Sequence, residues 1–346
     1  MSAPRLVSVG NVIVDWSLHI PSLPERGGDV LARDVGTTPG GAFNALVAAA
    51  RQGLSSAYGG AHGTGPFGDR VRLALDAEGI EVLQPPSTEA DTGFDIALID
   101  DEGERTFVTV FGAEAALTSV GLAGIRLGTG DLVHVSGYGL LESTKARKHE
   151  STNARLHEGT NARLLAPWIA KIGTVHTVLV DPGPLGADIP PDVLSLVAGR
   201  ADWLSCNLRE ALLLSGAADA WGAAATLRRT WRAVVIRLGP DGCLIAPGST
   251  VPDSGVPGSV APDGIELVPG FPVEAIDTGG AGDAHTGAFL AGLAAGESPT
   301  EAALRANACA ALAVTRRGSA TAPNADEVQA LLDGDAGGRA FRAAGG

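Results

Sequence analysis

Along most of the chain, short apolar runs alternate with longer Ala/Leu-rich stretches of helical period, the arrangement of βα units around a largely parallel sheet. The runs predict strands at Leu6–Val9, Leu132–Val135, Thr177–Val180, Trp203–Ser205 and Ala233–Leu238. The periodic stretches predict helices at Ala42–Arg51, Gly68–Glu78, Glu210–Ser215, Asp283–Ala295 and Thr300–Arg316, several of them followed by Gly where a helix stops. The pattern is that of a doubly wound α/β sheet. Two segments break the rhythm, residues 16–39 and 94–111. In the second, FDIALIDDEGERTFVTVF alternates around the turn Asp100–Gly103 as a β-hairpin does. Hairpins fed out of an α/β core serve as lids, so residues 1–335 read as one domain with a small β lid. The Gly/Ala-rich end, residues 336–346, reads as a frayed, flexible tail.

Residues 143–166 hold an internal repeat of eight residues, STKARKHE, STNARLHE and GTNARLLA. Eight residues turn a helix by two turns plus about 80°, so the copies cannot stack on one face and a solenoid is excluded. Two readings stay open. One is a duplicated, solvated helix extension; the other is a local basic patch of Lys145, Arg147, Lys148, Arg155 and Arg163 that attracts an anion.

Composition narrows the function classes. A chain of 346 residues with 45% hydrophobic content supports one large core or two modest ones. A formal net charge of −14 offers no basic surface for nucleic acid. Cys206, Cys243 and Cys309 lack the paired spacing of a zinc site and read as reduced core thiols. MSAPR leads straight into LVSVG without the regions of a signal peptide, and no apolar run is long enough to span a bilayer. These features predict a soluble, cytoplasmic protein.

The chemistry concentrates in Asp277–Leu290, DTGGAGDAHTGAFL. Gly279, Gly280, Ala281 and Gly282 carry so little bulk that successive backbone N–H groups can face one point at the start of the following helix, which makes an anion nest backed by the helix dipole. A carboxylate at Asp283 sits beside that anion. An anion hole next to a base is the equipment for phosphoryl transfer to a hydroxyl. An ordinary Asp, with a pKa near ~3.9, cannot deprotonate a free alcohol in the ground state, but it can orient the hydroxyl and take its proton as the bond to phosphorus forms. The segment alone also permits an Asp that only caps a Gly-rich helix start.

This segment resembles the C-terminal signature of the PfkB, or ribokinase-like, carbohydrate kinases, D-T-x-G-A-G-D followed by a small-residue helix. Gly40, Gly41 and Asn44, with Gly53 and Gly63 beyond them, are similar to the family's second signature, although Leu46 stands where a small residue is usual. Asn207 and Glu210 in SCNLRE, IRLGPDG at Ile236–Gly242 and AVTRRG at Ala313–Gly318 extend the resemblance over nearly the whole chain in the family's order. The resemblance implies a three-layer α/β/α fold with a small β-sheet lid, and ATP and magnesium as cofactors; the exposed lid sheet itself invites pairing with a second copy, a homodimer through the lids. It implies Asp283 as base, with Gly280, Ala281 and Gly282 as anion hole. Asn207 and Glu210 would serve phosphates and the magnesium-bound water, Arg237, Gly239 and Gly242 would line the nucleotide site, and Asn307 would border the adenine. Many relatives carry Thr where Arg237 stands; Arg237 is either an added phosphate contact or a salt-bridge partner. Asp277, Gly279, Val314, Arg317 and Ser319 match a monovalent-cation site, potassium by implication, with Ala322 where a relative supplies a hydroxyl.

On the acceptor side, Asp15 at the end of the first strand matches the carboxylate that holds two sugar hydroxyls, beside Gly40, Gly41 and Asn44. Ile13 stands where ribokinase carries a polar ligand, which weakens ribose as the acceptor. Arg105 on the lid hairpin reaches either an acidic substrate or solvent. A nucleoside kinase of the same family and a non-catalytic sugar-binding regulatory protein are the alternatives. Gly63–Gly68, GTGPFG, satisfies G-x-G-x-x-G but follows a Gly-rich loop rather than closing the first strand, which argues against a dinucleotide enzyme. His62, His134, His176 and His285 show no metal spacing; His285 reads as packing near the site.

Overall fold

The computed structural model describes residues 3–102, 104–141, 160–248 and 264–343. A nine-stranded sheet forms the centre of the molecule. From one edge its order is Glu266–Val268, Cys243–Pro247, Ala233–Arg237, Trp203–Asn207, Thr177–Asp181, Leu132–Ser136, Leu6–Ser8, Ser56–Tyr58 and Glu81–Val82. The pairings are parallel from Glu81–Val82 through to Ala233–Arg237, and the two strands beyond that turn back antiparallel.

Side chains alternate across this sheet into two separate cores. Leu6, Val235 and Leu179 face one core with Leu46, Phe289 and Ala303, while Val7, Val234 and Ile236 face the other with Leu165, Ile169 and Val197. Burial on both faces is why the strands read as unbroken apolar runs. The three-layer α/β/α architecture is as expected, and Cys206, Cys243 and Cys309 are free, buried core thiols. Four short strands carried too little pattern to be read: Ser56–Tyr58, Glu81–Val82, Cys243–Pro247 and Glu266–Val268.

The expected lid is a second sheet of four strands, ordered Arg33–Gly41, Val12–His19, Phe94–Ile99 and Arg105–Val110. One expectation needs correcting here. Asp15 does not end the first strand, which stops at Ser8; it lies inside the lid strand Val12–His19, paired with Thr38 on one side and Asp95 on the other. The apolar run of residues 12–14 continues across a break at residues 9–11, which hides the change of sheet. At the other end the helix Ala325–Ala343 continues through residues 336–343, where composition predicts fraying. Of the octad repeat, residues 142–159 lie outside the described residues, and with them Lys145, Arg147, Lys148 and Arg155. Its last seven residues open the helix Thr160–Ala170, and there Arg163 pairs with Asp192 at 3.4 Å.

Leu6–Ser8 is followed in the sheet by Ser56–Tyr58 on one side, while Leu132–Ser136 leads away on the other. The strand order therefore reverses between Leu6–Ser8 and Leu132–Ser136, and a crevice opens at the carboxyl ends of the strands there. The helices Ala42–Arg51 and Ala281–Ala294 meet beneath it through Gly287, where an added Cβ would lie 2.3 Å from the Ala45 carbonyl oxygen and 2.7 Å from the Ala48 Cβ. Gly287→Ala is expected to cost about 1–3 kcal/mol through overpacking, read as a lower urea midpoint with an unchanged slope.

Candidate active site

Residues at the carboxyl ends of successive strands, and on the loops that follow them, converge on this crevice. They are Asn11 and Ser136, joined at 3.2 Å, then Asp181, Asn207 and Arg237. Across from them the helix Ala281–Ala294 begins. Gly280 caps it with φ 73°, a left-handed conformation that glycine adopts without strain, and the cap has no side-chain partner. The N–H groups of the first turn stand free of any capping side chain, as an anion nest requires.

Asp283 lies in that first turn. It is partly accessible, with protein packed around the rest of it. Burial, then the nearby Asp181 carboxylate, push its pKa up to about 7, against the opposing pull of Asn44 and Arg237. The amide of Asn44 donates to Asp283 Oδ2 at 3.3 Å, while its oxygen accepts the N–H of Ala320 at 2.8 Å. The second bond fixes which end of the amide faces Asp283. Ala320 makes it from φ 51°, an unusual conformation for a residue with a side chain. Arg51 holds that turn in place through the carbonyls of Ala320 and Ala322, both at 2.8 Å.

At the carboxyl ends of Thr177–Asp181, Trp203–Asn207 and Ala233–Arg237, Arg237 is the central charge. It donates to Asp181 at 3.0 Å and to the Ser205 hydroxyl at 2.6 Å, and lies 3.8 Å from Glu210. Burial disfavours its charge, but Asp181 and Glu210 outweigh that and raise its pKa. Its guanidinium also lies against Gly282, where an added Cβ would be 3.3 Å from it. Arg237 is thus a salt-bridge partner, and it sits beside the nest. Asn207 and Glu210 form a reciprocal cap on the helix Leu208–Ser215, at 2.9 and 2.8 Å. Burial and Asp181 raise the pKa of Glu210. Gly239 and Gly242 make the turn after Ala233–Arg237 with φ 65° and 96°, and a Cβ on Gly242 would collide with the Val268 carbonyl. Asn307 spends its amide on the Val268 and Pro269 carbonyls, both at 3.1 Å, and so braces that edge.

Beneath the lid, the Asp15 carboxyl lies against Gly40, where any Cβ would fall about 2.0 Å from Oδ2. Gly41 has φ 62° and faces the Asn11 carbonyl. Two residues that sequence reasoning passed over stand here. Asp95 is buried beside Asp15, and Tyr138, on the turn after Leu132–Ser136, feels the fields of Asp95, Asp283, Glu210 and Asp15, which together with burial push its pKa up to about 12. The alternation of Phe94, Ile96 and Leu98 puts Asp95 on the face opposite the apolar one, so its burial beside Asp15 shows only in the strand register.

Arg105 reaches neither solvent alone nor an open acidic subsite. It forms an ion pair with Asp277, its guanidinium lying over Gly279. Asp277 also accepts the N–H groups of Gly279 and Gly318, at 2.9 and 3.1 Å. Of the other residues matched to a monovalent cation, Val314 accepts from Ile276 and Asp277 through its carbonyl, at 2.7 and 3.1 Å, and Ser319 donates to the Pro39 carbonyl at 2.9 Å. Arg317 is exposed. In the Gly63–Gly68 loop the backbone N–H groups of Gly65, Phe67 and Gly68 are taken by the Asp91 carboxylate, which leaves them no anion to bind. His285 is buried against Phe289 and held neutral, its pKa lowered by burial to about 3.

Residues 3–326 match the profile of the pfkB family carbohydrate kinases. The chain belongs to that family. Among curated relatives of this kinase, the Escherichia coli sugar kinase YegV is 28% identical over 326 residues, covering 92% of this chain and 91% of its own. The ATP-dependent ribose-1-phosphate kinase of Halopiger xanaduensis is 31% identical over 335 residues, covering 95% and 98%. Among solved structures, the ribokinase of Giardia lamblia superposes with a TM-score of 0.75 at 21% identity, covering 94% of this chain and 99% of its own. The ribokinase of Thermotoga maritima gives 0.72 at 22%, covering 95% and 99%. These likenesses bear out the ribokinase-like fold.

Arg237 holds two carboxylates of this kinase in check. Arg237→Ala leaves Asp181 and Glu210 facing each other without their cation and is expected to cost about 3–5 kcal/mol of stability, measured by urea unfolding at neutral pH.

Proposed function

We propose that this pfkB-family kinase transfers the γ-phosphoryl group of ATP to a hydroxyl of a sugar, with Asp283 as base and the N–H groups of Gly280, Ala281 and Gly282 as anion hole. The observation that carries the reading is the juxtaposition at one helix end of an uncapped nest, a carboxylate with a pKa of about 7, and an amide, Asn44, aimed at that carboxylate. A binding protein has no use for a carboxylate tuned to neutrality. A base that titrates near the working pH is available half-ionised and takes a proton efficiently.

The geometry supports this division of labour. Asp15, Gly40, Gly41 and Asn44 hold the acceptor so that one hydroxyl faces Asp283. Asp283 orients that hydroxyl and receives its proton as the oxygen bonds to phosphorus. Gly239 and Gly242 shape the nucleotide's seat, with Asn307 bracing the strand edge beside it. Arg237, against Gly282, adds positive charge beside the nest as charge develops on the phosphoryl oxygens. Asp181 raises the pKa of both Glu210 and Asp283, and Glu210 adds to the rise at Asp283, with Arg237 among the three carboxyls, a surplus of negative charge that fits magnesium arriving with the triphosphate. Asn207 and Glu210 would hold its water shell, and the ion would neutralise charge on the phosphates. Solved relatives support this donor, among them a Cryptococcus neoformans ribokinase with ADP. Potassium at Asp277, Gly279, Val314, Arg317 and Ser319 belongs to the same proposal, and there it shares Asp277 with Arg105.

The lid presents Trp16, Val108 and Val110 outward and exposed, on the face opposite Asp15. We assign that apolar face to a second copy of the chain, a homodimer through the lids, whose test is sedimentation over a dilution series. Among the described residues no helix is long and apolar enough to cross a membrane.

The kinase reading is tested by ADP release from MgATP over a panel of sugars, polyols, sugar acids and nucleosides, with and without potassium. Turnover on a sugar is expected, and Asp283→Asn is expected to lower kcat by about 10²–10⁴-fold with nucleotide affinity retained. Because Asp283 must be ionised, kcat/KM is expected to fall as pH drops through about 7. Sugar binding with no ADP release on any acceptor contradicts the reading.

A further inference from the structure

Asp15 and Asp95 occupy directly opposed positions on the parallel lid strands Val12–His19 and Phe94–Ile99, so their side chains leave the same face of the sheet. Thr38 and Thr109 flank them in register, which makes a polar row Thr38, Asp15, Asp95, Thr109 on the face that covers the crevice. Asp95 is only 7% exposed. Its Oδ1 is sealed from solvent and receives no N–H or O–H from the protein. Strand register sets its carboxyl beside that of Asp15, and the two carboxyls act on each other. Two carboxylates cannot hydrogen-bond to each other unless one carries a proton.

Resting on the kinase reading, we propose that Asp95 is a positioning and specificity residue of the acceptor site. With Asp15 it forms an acid pair holding one proton between the two carboxyls, so the pocket meets neutral hydroxyls with the acceptor oxygens of Asp15 and one net charge instead of two. The proton held between the carboxyls fixes the orientation of Asp15, whose remaining lone pairs accept from the hydroxyls. Asp95 stands behind Asp15, which touches Gly40 at the open side, and acts through it.

The surroundings agree. Burial pushes both carboxyls up, and they titrate as a pair rather than singly. Asp283 from the helix Ala281–Ala294 adds negative charge, Tyr138 faces the pair from the core, and Arg105 on the next lid strand is the cation in range, already paired with Asp277. A proton costs the site less than a second buried charge. The sign for stability follows: carboxyls raised in the folded state favour folding while protonated, and that contribution is lost as pH rises through their folded values.

The test compares wild type with Asp95→Asn and Asp95→Ala. Without any ligand, melting temperatures are read from pH 5 to pH 9.5. The amide of Asp95→Asn donates to Asp15 at every pH, so its melting temperature is expected to gain on the wild type steadily as pH rises. The same pH dependence in both proteins overturns the shared proton. Steady-state kinetics on the panel sugar with the highest kcat/KM supply the second reading. Asp95→Ala is expected to raise KM for that sugar at least tenfold with kcat within threefold. The wild-type KM is expected to rise at alkaline pH as the shared proton leaves, and Asp95→Asn is expected to recover most of the loss seen in Asp95→Ala and to abolish that rise. An unchanged KM in Asp95→Ala overturns the role in specificity. Absence of turnover in the wild type counts against the kinase reading alone, since the ligand-free melting comparison still decides for or against the pair.

Discussion

Asp283 carries a negative charge, when ionised, at a place where protein has displaced most of the water that would solvate it. Everything around the crevice answers that constraint. The helix start behind Asp283 offers oriented N–H groups, Asn44 offers an amide, and Arg237 offers a full charge, while Asp181 and Glu210 oppose it. The balance leaves the carboxyl near neutrality rather than near the ordinary ~3.9. That balance cannot be built from one segment. Asn44 comes from the helix after the lid, Asp181 and Arg237 from the ends of two core strands, and Asp283 from near the end of the chain, so only the completed sheet assembles it.

The same logic separates the two halves of the site. On the nucleotide side a buried guanidinium ties two carboxylates together, so the surplus negative charge is fixed in place and awaits a cation arriving with its ligand. On the acceptor side a proton takes the place of a guanidinium between Asp15 and Asp95. Asn44 links the halves, bonded at one end to Asp283 and at the other to the strained turn at Ala320 that Arg51 clamps. The lid joins in through Arg105 and Asp277, a contact from the far end of the lid sheet to the segment that carries the nest.

Much of this was legible from local chemistry. The glycines of DTGGAGD, the Asn207/Glu210 pair and the small-residue helix each carry their meaning within one segment, and the doubly wound core follows from apolar runs whose cause is burial on both faces. What stayed hidden depends on pairing between distant segments. Asp15 looked like the end of a core strand because the apolar residues on either side of the break at residues 9–11 are alike. Asp181 and Tyr138 carry no motif and matter only for what they face. Arg105 could be placed on a hairpin, but not opposite Asp277, and Asp95 was one more acidic residue until strand register set it beside Asp15.

The central claim is that burial and neighbouring carboxylates hold Asp283 near neutrality. The most direct measurement is a carbon-13 NMR titration of protein labelled at the aspartate carboxyl carbons, with Asp283→Asn used to assign the resonance. A carboxyl signal missing from the variant and titrating at about pH 7 is the predicted result. The same signal titrating near the ordinary ~3.9 would contradict the account, because the helix start would then hold only a capping aspartate.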